Sequence, residues 1–76
     1  MFNGAKLNDT RMVYGFSRKQ LAEKLQISEQ AIGQYENGII QPRLDIIMKL
    51  NDIFGVSRKY FFTAENYPIL NIEQHI

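Results

Sequence analysis

SRKQLAEKLQISEQAIGQYENG, residues 17–38, is the stretch whose pattern decides the fold. It reads as two short helices joined by a tight turn. Ser17 followed by Gln20 makes a capping box, and Phe16 with Leu21 can form the hydrophobic staple around it. Leu21, Ala22 and Leu25 then face inward, while Arg18, Lys19, Glu23 and Lys24 face outward. Ser28 caps the second helix of the pair, with Ile27 able to staple to Ile32. At about 100° per residue, Ile32 and Tyr35 point to the core, with Glu36 at its edge. Gln30, Gly33, Gln34 and Asn37 point away, Glu29 lies at the flank, and Gly38 ends the helix. Only Gln26 and Ile27 are left as a link.

Working outward, a preceding helix is expected from Gly4 to Tyr14, capped by Asn3 and stopped by Gly15. Leu7, Arg11 and Tyr14 fall on one side of it, so Arg11 needs a partner. A fourth helix is expected from Leu44 to Phe54, with Leu44, Ile47, Leu50 and Phe54 as its apolar stripe and Gly55-Val56 as a Schellman ending. Ser57 then caps a short fifth helix ending near Phe62, whose Tyr60 and Phe61 complete the core. The expected architecture is an all-α, five-helix domain over residues 1–63, followed by an apolar tail or linker over 64–76 that Pro68 interrupts.

The composition limits the function classes. The 76 residues make one small domain, 45% apolar, with no cysteine for a disulfide or thiolate metal site. That fits a reducing cytoplasm. No apolar run approaches the roughly 18 residues of a membrane helix, and the start MFNGAKLND lacks a signal-peptide layout. His75 is the one histidine, and with no second histidine, no cysteine and no H-E-x-x-H pattern it points to neither a metal site nor a catalytic triad. No Gly-rich phosphate loop or carboxylate pair points to an enzyme, and no cofactor is expected. Nine basic residues against eight acidic ones leave a net charge of +1. A nucleic-acid binder of that charge must gather its basic residues on one face.

Leu7 and Arg11, then Ser17-Arg18-x-Gln20-Leu21-Ala22, Ile27-Ser28, Ile32, Tyr35-Glu36-Asn37-Gly38, Pro42, and Leu44-x-x-Ile47-x-x-Leu50 carry a resemblance. Phe54-Gly55-Val56-Ser57 extends it. The chain resembles the DNA-binding domain of lambda-type repressors and Cro, the XRE-type helix-turn-helix regulators, over about residues 4–63. The resemblance implies that the third helix enters the major groove of double-stranded operator DNA. Glu29, Gln30, Gly33 and Gln34 then stand where base-reading residues stand in the family. Gln can pair bidentately with adenine, and Glu can accept from cytosine N4. The resemblance places Arg18, Asn37 and Arg43 on phosphates, with Lys19 a further cation beside them. It also implies that Arg11 and Glu36 meet as a partly buried ion pair between the first and third helices. A homodimer on a palindromic site is the expected assembly.

This chain departs from the family pattern at three places. Gln26 replaces the usual turn glycine, Arg18 the usual glutamine, and Arg43 the usual Ser or Thr cap of the fourth helix. Two further readings stand beside the operator binder. An antitoxin-like subunit with a protein partner would share the fold. The opening MFNG and the Phe61-Phe62 ending also resemble domains that precede an ImmA/IrrE-type peptidase, which implies a downstream domain.

Overall fold

The computed structural model describes residues 1–62, and these are helical with no strand among them. Four α-helices follow in order: α1 Gly4–Val13, α2 Arg18–Leu25, α3 Glu29–Glu36 and α4 Leu44–Phe54. The place of the expected fifth helix is taken by a single 3-10 turn, Tyr60–Phe62. Three residues complete no α-helical turn, so the count of five α-helices is not met among the described residues. The expectations for His75 and for the tail from residue 64 onward lie outside the described residues.

The caps form where the short polar residues predict them. Asn3 accepts from the Lys6 amide at 3.0 Å, and Ser28 Oγ accepts from the Ala31 amide at 3.1 Å. Ser17 Oγ accepts from the Gln20 amide at 3.0 Å while Gln20 Oε1 accepts from the Ser17 amide at 2.9 Å. Both halves of the capping box are thus closed. Arg43 precedes α4 without any side-chain cap.

All four helices end on a residue in the left-handed region, at Gly15, Gln26, Gly38 and Gly55. In each, the next amide reaches back to the helix, as Ile27 N to Ala22 O at 3.1 Å and Val56 N to Asn51 O at 3.0 Å. Gln26, at φ 60°, is the only non-glycine of this kind among the described residues. A side chain there strains the backbone by about 1–2 kcal/mol, against which glycine's greater unfolded freedom offsets part. Gln26→Gly is therefore expected to stabilise the domain by about 0.5–1 kcal/mol, read as a higher urea midpoint at unchanged m-value.

Leu7, Leu21, Leu25, Ile32, Leu50 and Phe61 are fully buried where the helices meet. Phe61 stacks at 5.4 Å from Phe2 and 6.3 Å from Phe54, and Phe16 packs edge-on against Phe54 at 5.9 Å. The Asn3 amide donates to Phe61 O at 2.6 Å, which ties the start of the chain to the final turn. Tyr14, expected on the inner side of α1, is half exposed, but its hydroxyl donates to Phe54 O at 2.9 Å.

The α4 stripe needs a correction. Leu44 is 70% exposed, and Ile46 is buried in its stead beside Ile47, Leu50 and Phe54. Leu44 and Ile46 sit on opposite flanks of the arc centred on Ile47, Leu50 and Phe54. Neighbouring elements cover the flank of Ile46 and leave that of Leu44 open.

Candidate nucleic-acid interface

Glu36 organises the junction beneath the outer face of α3. Its side chain is 1% exposed and accepts from three side chains of two other helices. Arg11 Nε lies 2.6 Å from Oε2, Arg18 Nε 3.0 Å from Oε1, and Asn8 Nδ2 3.0 Å from Oε1. Burial alone pushes the Glu36 carboxyl up. The hydrogen bonds from Arg11, Asn8 and Arg18, with the Arg11 charge, outweigh that and hold it below the ordinary glutamate range. Arg11 also donates to Phe16 O at 2.8 Å, so its charge is spent on the fold rather than on the surface.

Arg18 and Asn8 were not expected to share this acid. The outward phase of Arg18 on α2 hid the contact, because α3 crosses close to the start of α2. Gly33 makes the approach possible. A Cβ built on it would stand 3.2 Å from Arg18 Nη1, so the guanidinium lies over the helix where a side chain would otherwise be. Gly33 is accordingly buried, which supplies the packing reason for a glycine inside a helix.

Above this junction the surface forms an open concavity of about 470 Å³, lined by Arg18, Glu29, Gln30, Gly33, Gln34, Asn37 and Ile39. Every residue expected to read bases lines it, as do Arg18 and Asn37 from the expected phosphate set. Glu29 and Gln30 are exposed and Gln34 half-buried. Ile39, which follows the α3 terminator, is an apolar wall of the concavity and is 67% exposed. Its place there had no signal in the helical periodicity, because it lies beyond α3. Lys19 and Arg43 are exposed but do not line the concavity. Arg43 pairs with Asp45 at 3.0 Å on open surface, where such a pair contributes little.

The face offers hydrogen-bond donors and acceptors. Among the described residues no cluster of three His, Cys, Asp or Glu could hold a metal ion. No helix among them is long and apolar enough to cross a membrane.

Comparisons with known proteins agree with this geometry. A helix-turn-helix family model matches residues 11–61. The HTH-type transcriptional regulator ImmR of Bacillus subtilis is 33% identical over 57 residues, covering 75% of this chain and 45% of its own length. YonR, an SPbeta prophage-derived uncharacterized HTH-type transcriptional regulator of the same organism, is 37% identical over 57 residues, with 75% and 53% covered. The chain thus spans about half the length of these relatives. The solved structure of SinR, a master regulator for biofilm formation in complex with DNA, matches with a TM-score of 0.72 at 21% identity. It covers 79% of this chain and 97% of that one, a likeness of fold. Capped helices around a left-handed turn, the family match over most of the described residues and the likeness to these regulators converge: the chain belongs to the helix-turn-helix family.

Proposed function

We propose that the chain binds double-stranded operator DNA in a sequence-specific manner and regulates transcription, acting by binding rather than by catalysis and in the cytoplasm. The observation that carries this reading is the concavity on α3, where Gln30, Gln34, Asn37 and the Arg18 guanidinium share one accessible surface. Gln30 and Gln34 present amides suited to adenine, and Glu29 can accept from cytosine N4. Arg43, Lys19 and Asn37 frame that face and supply phosphate contacts. The names of ImmR and YonR as transcriptional regulators support the same assignment.

A two-fold site bound by two copies fits the small net charge of +1, since one copy offers few cations. We place the second copy against α4, where Leu44, Met48 and Phe62 leave an exposed apolar groove of about 200 Å³. Sedimentation of the parent and of Leu44→Glu tests this. Dimers of the parent and monomers of the variant are expected, and monomers of both would contradict it.

Arg43→Ser separates binding from folding. Serine caps α4 and is expected to add about 1 kcal/mol of stability. The same change should weaken binding to every duplex and lower the slope of log K against log salt by roughly one. Fluorescence anisotropy at several salt concentrations reads both quantities. A more stable variant that binds as tightly as its parent would remove Arg43 from the interface.

A further inference from the structure

We infer that Arg18 reads a base, and that the base is guanine; the inference rests on the DNA-binding reading above. The resemblance assigns the Arg18 position to the phosphate backbone, but the geometry found here is that of a reader. A phosphate is served by any cation within reach, and Lys19 and Arg43 are exposed cations beside this face. Base discrimination needs a planar fork held in a fixed orientation.

Two observations fix the fork of Arg18. Its Nε donates to Glu36 Oε1 at 3.0 Å, and Glu36 is itself immobilised by Arg11 and Asn8. Its Nη1 lies over Gly33, 3.2 Å from where a Cβ would stand, so the plane rests on bare helix backbone. Glu36 engages only Nε, so both Nη groups keep donors to offer, and Arg18 lines the concavity that Gln30 and Gln34 also line. Two parallel donors on one edge match the O6 and N7 acceptors that guanine presents in the major groove. The junction keeps a positive charge, because one carboxylate serves two guanidinium groups. The side chain is 39% exposed, so part of it is open to a ligand. In this arrangement Glu36 and Gly33 are positioning residues for Arg18.

Selection from random duplexes by the full chain tests the inference, comparing the parent with Arg18→Lys, Arg18→Gln and Gly33→Ala. The parent is expected to enrich a site with a guanine adjacent to the positions set by Gln30 and Gln34. Arg18→Lys keeps the charge, so it should keep the salt slope and the other base preferences while losing roughly tenfold or more of the discrimination at that guanine. Arg18→Gln should lose the same position. Gly33→Ala should weaken the same position without removing the cation, because the added methyl displaces the fork. Circular dichroism melts of each variant confirm that it is folded.

Two results overturn the inference. If Arg18→Lys preserves the full base preference and Arg18→Gln weakens all sequences alike, Arg18 is a phosphate contact and the DNA-binding reading stands. If the parent enriches no sequence at low or moderate salt, the DNA-binding reading fails, and the inference with it.

Discussion

Glu36→Gln is expected to destabilise the domain by about 3–5 kcal/mol, because it leaves two arginines facing a neutral amide at a buried junction. Arg11, with 11% of its side chain exposed, bears most of that loss. Arg18 is 39% exposed and recovers part of its hydration. A small domain has a total stability of roughly 5–15 kcal/mol, so the variant sits near the edge of folding. Urea unfolding at neutral pH measures the difference. The pH dependence identifies its source. The Glu36 carboxyl is held below its ordinary value of 4.5 in the folded state. Its contribution is therefore complete above that value and is lost as pH falls through the lower folded one. The parent should lose stability along this acid limb, and Glu36→Gln should have a correspondingly flatter one. Equal stability of parent and variant at neutral pH would mean that the four hydrogen bonds to Glu36 do not hold the helices together.

Gly4→Ala is expected to be nearly as damaging, at about 3 kcal/mol. A Cβ at this position would overlap Tyr35 O and stand 2.7 Å from Glu36 O. Both are backbone atoms, so relief requires moving the start of α1 away from the end of α3. The same movement would pull Arg11 and Asn8 off Glu36. Thermal melts check the prediction, and a change of under about 1 kcal/mol would show that α1 can shift freely. Glycine at Gly33 is different in kind. Its near neighbour is the end of the Arg18 side chain, which can give way, so Gly33→Ala should fold and alter DNA selection instead.

Much of the fold was legible because short-range chemistry dictates it. Asn3, Ser17 and Ser28 start helices in any context that offers a following amide, and Gly15, Gly38 and Gly55 end them. The strained Gln26 was legible only through the resemblance, whose pattern has a glycine in this turn. The outer face of α3 followed from its period, and the concavity gathers the residues that period selects. What escaped depends on where whole helices lie. The proximity that makes Gly4 necessary, the reach of Arg18 to Glu36 and the burial of Lys6 over the Tyr60 ring, 3.9 Å from its centroid, all arise between distant segments. Lys6 is 3% exposed, and burial lowers its pKa, yet nothing in its neighbours along the chain separates it from a surface lysine. The exchange of Leu44 for Ile46 has the same origin, because α4 carries apolar residues on both flanks.

The measurement that bears most directly on docking through α3 is a nitrogen-15 NMR titration of the full chain with a duplex recovered by selection. The predicted result is a set of shifts concentrated at residues 17–19, 29–34 and 37, with Arg18 Nε among them and salt weakening all of them together. Shifts confined to α4, or a spectrum unchanged at saturating duplex, would contradict the interface.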